Sequence, residues 1–321
     1  MTISVALCTY NGAPYLEEQL ASIATQTRQP DEVVVCDDCS HDDTVAIIRA
    51  FAAGAPFPVR LYRNDINLGF TRNFDQAIGY CAGDLIALAD QDDVWHATKL
   101  ALIEARLSES PQIGMVFSDA EVVGSELQPL GYGLWESVGF TAADQRRFRE
   151  GRGFDVLLKN NVVTGATLAF RSRHKNLFLP ISTQWVHDEW IALLISATAE
   201  VACIEQPLIK YRQHANQIGA RKRTYLQRVL TATSESRDIF LSAMGRFEAV
   251  DVRLVESGIP LADRQAHLKL LGKIHHLQTR GGIPNRTWPK LALILRELRS
   301  GRYHQYSFGF RSAIADFLRS S

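Results

Sequence analysis

The first 120 residues alternate between short, unbroken apolar runs and longer stretches whose apolar positions recur every three or four residues. Ile3–Thr9, Glu32–Cys36, Leu85–Ala89 and Met115–Ser118 are of the first kind and predict buried strands, while Val59–Arg63, which carries Arg60 and Arg63, predicts a further strand. Helical spacing separates them. Leu16, Leu20 and Ile23 fall on one face of Tyr15–Thr25, with Pro14 near its start. Val45, Ile48 and Phe51 do the same in Asp42–Phe51, and Phe74, Ala77, Ile78 and Cys81 in Asn73–Cys81. Leu100, Ile103 and Leu107 mark the next helix. This alternation predicts an α/β fold, a mostly parallel sheet with helices on both faces. Residues 120–218 are less regular: Thr164–Phe170 reads as a strand and Trp190–Ser196 as a helix, with Pro180 and Pro207 as punctuation. After Gly219 the pattern is helical, and Trp288, Leu291, Leu295 and Leu298 share a face of a helix bearing Lys290, Arg296 and Arg299.

Composition narrows the class. A chain of 321 residues with 46% hydrophobic positions is long and apolar enough for a sizeable core, which excludes disorder and collagen-like repeats. The first apolar run breaks at once into Cys8-Thr-Tyr-Asn-Gly, so no secretory leader is predicted, and no spanning helix either. Five cysteines, most inside apolar runs, predict a reduced, cytoplasmic protein. Charge then divides the chain. Residues 1–218 hold 17 Lys+Arg against 27 Asp+Glu, whereas residues 219–321 hold 18 against 8. An acidic first part and a basic helical second part, 219–321, are expected to do different jobs; the alternative is two solvated faces of unequal sign.

Ligands of an open parallel sheet bind at the carboxyl ends of its strands. Polar residues collect there: Thr9-Tyr10-Asn11-Gly12, Asp37-Asp38-Cys39-Ser40, Asn67-Leu68-Gly69 and Asp90-Gln91-Asp92-Asp93. Ser40, Asp42 and Asp93 precede helices and read equally well as caps. On an extended backbone Asp90 and Asp92 would point the same way, and two such carboxylates repel unless a cation lies between them. Mg²⁺ or Mn²⁺ suits carboxylate oxygens and leaves positions for phosphate, so a diphosphate leaving group is the natural third partner. Cys36 and Cys39 imitate a C-x-x-C motif, but no second ligand pair follows, and they read as small residues beside the pocket. The doublet His275-His276 reads as solvated.

Taken together, Cys8-Thr-Tyr-Asn-Gly, Val35-Cys-Asp-Asp-Cys-Ser, Asn67-Leu-Gly and Asp90-Gln-Asp-Asp-Val-Trp resemble glycosyltransferase family 2, with its nucleotide-diphospho-sugar (GT-A) fold. Trp185-Val-His-Asp-Glu-Trp and Tyr211-Arg-Gln-His-Ala-Asn-Gln-Ile-Gly are similar to the bacterial rhamnosyltransferase-like branch that assembles surface polysaccharides. The resemblance covers about residues 1–219. It implies a GT-A catalytic domain over 1–218, with a nucleotide-sugar half, 1–120, and an acceptor half, 121–218. By the same resemblance Asp38 bonds the N3–H of uracil or thymine, and Thr9, Tyr10, Asn11 and Asn67 frame the nucleotide. Asp90 contacts the ribose and the metal, Asp92 is the more direct metal ligand, and His214 returns to the diphosphate or the metal. Asp188 is the base at the acceptor side, with Glu189 as support. The run Arg221-Lys222-Arg223 closes over the diphosphate, and Arg72 and Asn73 are candidate donor contacts.

A base is needed because a sugar hydroxyl attacks poorly until its proton is taken. Trp185 and Trp190 are expected as apolar platforms for a sugar ring, raising the pKa of Asp188 by desolvation. Without the resemblance, Asp188 reads as a helix cap. The expected activity is metal-dependent, inverting transfer from a nucleotide diphosphate donor, dTDP-rhamnose before UDP-hexose, to a glycan or lipid-linked acceptor, with no nucleic-acid partner. A non-catalytic nucleotide-sugar-binding scaffold is one alternative. A haloacid-dehalogenase-type phosphatase, with Asp90 as nucleophile, is another. The helix Trp288–Arg299 is expected either to lie on an anionic membrane surface or to pack its Leu face on the catalytic domain or a partner.

Overall fold

A computed structural model describes residues 1–214, 237–263, 265–284 and 286–319. The strands are β1 (Ile3–Thr9), β2 (Glu32–Asp37), β3 (Val59–Arg63), β4 (Leu85–Asp90), β5 (Val94–Trp95), β6 (Ile113–Val123), β7 (Pro129–Gly133), β8 (Leu168–Arg171) and β9 (Glu200–Arg212). In the first half they alternate with α1 (Ala13–Ala24), α2 (Thr44–Gly54), α3 (Phe70–Tyr80) and α4 (Lys99–Ser108). In the second half come α5 (Leu134–Val138), α6 (Ala142–Arg149), α7 (Gly153–Lys159), α8 (Lys175–Phe178) and α9 (His187–Thr198). Helices follow over Arg237–Ser257, Ala266–Gly281, Thr287–Arg299, Arg302–Tyr306 and Phe310–Leu318.

All belong to a nine-stranded sheet in the order β3-β2-β1-β4-β8-β6-β9-β5, with β7 paired to β6. The first four strands in that order run parallel, and β6 is parallel to β9. Antiparallel β8 sits between the two parallel blocks. Successive side chains of a strand face opposite sides, so an unbroken apolar run implies two cores. Two are found. Val5, Leu7, Val33, Val35 and Ala87 pack beneath α1, α2 and α4, while Ala6, Val34, Cys36, Ile86 and Leu88 pack beneath α3 and α9. The second core also takes in Val250, Leu254, Leu270 and Tyr306, so helices of the basic part share a core with the sheet.

Three expectations need correction. Thr164–Phe170 is not one strand: a 3₁₀ turn, Gly165–Thr167, precedes β8. The 13-residue β9 was not evident because Pro207 interrupts its pattern, and the register shift beside Pro207 accommodates it. The stripe Trp288-Leu291-Leu295-Leu298 is divided. Leu298 packs on a small core of Ile283, Ile294, Tyr303 and Ala313, while Trp288 and Leu295 are exposed.

Candidate active site

Register brings the polar strand ends together. Thr9 lies opposite Asp37, and Cys8 opposite Asp90, so three chain reversals converge at one rim. Two reversals use left-handed backbone at non-glycine residues, Asn11 with φ 47° and Cys39 with φ 66°. Both are held by side chains. Asn11 N–H donates to Ser40 Oγ (2.9 Å) and His41 N–H to Asn11 Oδ1 (2.9 Å). Thr9 Oγ1 donates to Asp37 Oδ1 (2.9 Å).

Gln91 is a splint that the sequence did not reveal. Its amide accepts from Tyr10 N–H (2.8 Å) and donates to Tyr10 O (3.0 Å), tying the end of β4 to the end of β1. Gly12 makes room for it, because a Cβ there would lie 2.1 Å from Gln91 Oε1.

Asp38 is buried, and its carboxylate accepts from Asn64 Nδ2 (2.9 Å), Leu68 N–H (2.8 Å) and Gly69 N–H (2.8 Å). Gly69 takes φ +83° in this turn, a conformation L side chains rarely adopt. Asn67 Nδ2 reaches the Asp38 carbonyl (3.4 Å). Asp38 thus organises the Asn67–Gly69 turn and the start of α3. Asn73 is buried with its amide on Cys36 O (2.8 Å), while Arg72 is exposed.

The chain leaves β4 at Asp90, so Asp90 and Asp92 do not share the extended backbone expected of them; Gln91 and Asp92 form a turn. Their carboxylates still interact. Burial, then the charges of Asp92 and Asp188, push Asp90 up to about 7. Asp92 Oδ2 lies 2.8 Å from His214 Nε2, and the His214 ring packs 4.9 Å from Tyr15. Arg212 holds this corner: its N–H donates to Asp93 Oδ1 (3.1 Å), its Nε to Asp92 O (2.7 Å), and its guanidinium pairs with Glu18. Asp93 Oδ2 is buried without a partner, and burial with the Asp92 and Asp90 charges raises this carboxyl well above the ordinary range.

Behind these acids lies Lys99, fully buried at the start of α4. Its amine donates to Ala166 O (2.7 Å) and sits 3.6 Å above the Trp95 ring. Burial lowers it to about 7, against the opposing pull of Asp93 and Asp90. Ala166 belongs to the Gly165–Thr167 turn, whose Gly165 N–H donates to Asp188 Oδ2 (2.9 Å). Lys99 therefore anchors the turn that anchors Asp188. A lone lysine in an amphipathic helix reads as solvated, so only the fold reveals it.

Asp188 stands in the first turn of α9, where Val186 is the N-cap. Its Oδ1 accepts from Glu189 N–H (2.7 Å). Burial, then the Glu189 charge, raises Asp188 to about 7, while hydrogen bonds from Glu189 and Gly165 act the other way. Glu189 pairs with Arg246 of the helix Arg237–Ser257, tying the basic part to the start of α9.

The tryptophan platforms are not present. Trp190 is buried with its Nε1 on Phe178 O (2.8 Å); Trp185 is buried with the Arg246 guanidinium 4.0 Å over one face. An open cavity of about 580 Å³ does adjoin Glu189, lined by Phe70, Thr71, Arg72, Gln184 and Arg246 among others. His276 is likewise not solvated: it bonds Glu297 Oε2 (3.0 Å) and Ser307 Oγ (3.1 Å) in the basic part. Cys36 is buried, and burial followed by the Asp38 charge pushes its thiol up to about 12, so it stays protonated at neutral pH. Arg221, Lys222 and Arg223 lie outside the described residues.

Residues 4–169 match the sequence profile of glycosyl transferase family 2. The chain belongs to that family. The phosphatase reading of Asp90 is thereby set aside. Among family relatives, an uncharacterized protein of Mycobacterium tuberculosis is 26% identical over 224 residues, a match covering 67% of this chain and 60% of the relative. The chain thus spans about three fifths of that relative's length. WfgD of Escherichia coli, a UDP-Glc:alpha-D-GlcNAc-diphosphoundecaprenol beta-1,3-glucosyltransferase, is 24% identical over 70% of this chain and 83% of its own length. The fold is that of Staphylococcus aureus TarS residues 1–349, solved with UDP-GlcNAc (TM-score 0.56, 17% identity, 98% of this chain and 90% of that one). It is also that of the mannosyltransferase PcManGT from Pyrobaculum calidifontis, solved with GDP-Man and Mn²⁺ (TM-score 0.50, 19% identity, 98% and 85%).

Among the described residues no group of three ligand-type side chains is gathered to hold a metal by itself. Asp92 and His214 offer a two-donor edge beside Asp90. The carboxylates of that corner fit a hard cation held by one or two of them with the substrate's phosphates, the manner usual for Mg²⁺, rather than a closed protein cage.

Proposed function

We propose that this chain is an inverting, divalent-cation-dependent glycosyltransferase of bacterial surface-polysaccharide synthesis, dividing into a catalytic part, 1–218, and a basic helical part, 219–321. Its donor is a uridine or thymidine diphosphate sugar and its acceptor a glycan, carried on a lipid diphosphate at the cytoplasmic side of a membrane. Because WfgD and TarS are written with UDP sugars, UDP-hexose is the first donor to test and dTDP-rhamnose the second.

One observation carries the reading. Asp188, fixed by two backbone N–H groups, is near enough to Asp90 for its charge to raise that carboxyl. A base poised near neutrality and close to Asp90 supports this reading, because in-line displacement requires a base within reach of the site that holds the diphosphate. Asp188 takes the acceptor hydroxyl proton as the new glycosidic bond forms, and the anomeric centre inverts as the diphosphate leaves from the opposite side. Thr9–Asn11, Asp38 and Asn67 seat the base and ribose. Asp92, Asp90 and His214 would hold Mn²⁺ or Mg²⁺, which when bound neutralises charge growing on the leaving diphosphate.

The test is incubation with UDP-hexoses and dTDP-rhamnose, with Mn²⁺, with and without acceptor. Acceptor-dependent release of nucleoside diphosphate is expected, abolished in Asp188→Asn while donor binding persists. Donor binding without turnover under every condition identifies a scaffold and overturns the reading.

A further inference from the structure

The last helix presents its apolar stripe outward. In Phe310–Leu318, the residues Phe310, Ile314, Phe317 and Leu318 are all exposed, Phe310 to 65%, while Ser312, Ala313, Ala315 and Asp316 face inward. The spacing i, i+4, i+7, i+8 makes the exposed positions one continuous stripe. Two more apolar groups extend it. Phe308, 55% exposed, precedes the helix. The Lys290 amine donates to the carbonyls of Phe317 (3.2 Å) and Arg319 (2.8 Å), which brings the start of helix Thr287–Arg299, with Trp288 80% exposed, to the far end of the stripe.

Within residues 286–319 the exposed charges have one sign. Residues 286–319 contain only two acidic side chains, Glu297 and Asp316, each 1% exposed and paired within the helices, Glu297 to His276 and Arg302, and Asp316 to Arg280 and Arg319. The surface charge that remains in this segment, at Arg286, Lys290, Arg296 and Arg299, is positive. A soluble chain rarely leaves a cluster of large apolar groups in water without an occupant. A second copy docked face to face would set the same cations against each other, whereas an anionic bilayer satisfies both the stripe and its rim.

We propose that Phe308, the Phe310–Leu318 stripe and Trp288 form a membrane-docking surface for anionic phospholipid, with the basic rim contacting headgroups. The docking element is therefore the last helix rather than the Leu face of Trp288–Arg299. The inference rests on the proposed function only in what it serves, delivery of a lipid-carried acceptor to Asp188. Phe308 lies beneath the Lys159 amine at the end of α7 (5.5 Å), so the surface is continuous with the acceptor half.

The experiment is flotation of the full chain with vesicles of phosphatidylcholine alone or with about one third phosphatidylglycerol, without sugar donor. Binding to the anionic vesicles only is expected, weakening with salt. Phe310→Ser with Ile314→Ser should lower it about tenfold, with unchanged melting temperature and unchanged diphosphate release to a water-soluble acceptor. Three results overturn the proposal: no flotation, flotation indifferent to the double substitution, or a solution dimer that the same substitution disperses. Because binding is read without donor, its failure leaves the transferase reading standing, and loss of transfer leaves the binding result standing.

Discussion

Replacing Asp188 with Asn should cost activity and add stability, with the second effect confined to one side of the pH range. The Asp188 carboxyl is raised to about 7 from its ordinary value of 3.8. Between those values the unfolded chain has already released the proton that the folded chain retains. Stability therefore falls as pH rises from about 4 to about 7, and the cost is fully present above 7. At about 1.4 kcal/mol per pK unit the full cost is about 4 kcal/mol, and because Asp188 as a residue is only half-buried, screening trims it to about 2 kcal/mol. Asn removes this cost but accepts at only one atom, so one of the N–H groups of Gly165 and Glu189 loses its partner, at about 1 kcal/mol. Asp188→Asn should be about 1 kcal/mol more stable than the parent at pH 8 and no more stable at pH 4. Loss of the base should lower kcat by about 10²- to 10⁴-fold, with donor affinity retained. Urea melts at the two pH values, with acceptor-dependent diphosphate release, read both halves. A variant equally destabilised at both pH values and within about tenfold of parental kcat would refute the assignment of Asp188 as a desolvated base.

Four other outcomes are expected. Transfer by the parent should rise with pH through an acidic limb near 7, since Asp188 acts only when deprotonated; a flat profile from pH 5 to 8 contradicts this. Lys99→Met should loosen the Gly165–Thr167 turn and lower kcat by about tenfold, yet cost little more in an Asp188→Asn background, because it acts through Asp188; additive losses in the double variant count against the tether. His214→Ala and Asp92→Asn should each raise the Mn²⁺ concentration needed for half-maximal activity by about tenfold or more, read by metal titration, and unchanged metal dependence in both removes that edge as the cation site. Asp38→Ala strips the acceptor from three donors of the 64–69 segment and should cost about 2–4 kcal/mol with a raised donor KM, measured by thermal melts and donor titration.

What the linear chain determined is the part governed by local period. Unbroken apolar runs at Ile3–Thr9 and Leu85–Ala89 dictate strands buried on both faces, and parallel strands so buried place their polar ends at one rim. Asp38, Asp90 and Asp92 stood out because charged residues at the ends of such runs need a ligand or a cap, whereas Asp188, in the first turn of a helix, was singled out only by the family resemblance. What only tertiary structure decided is which distant groups meet. Lys99 and Ala166 are 67 positions apart, Asp92 and His214 122, and Arg246 reaches Glu189 across 57. No local pattern encodes such meetings, because sheet order and helix packing set them. Nor does periodicity say which face of an amphipathic helix is covered. Trp185 and Trp190 lost their ring faces to packing, and the last helix turned its small residues inward and its aromatic ones out. A side chain's exposure depends on the volume its neighbours leave, which the chain acquires only on folding.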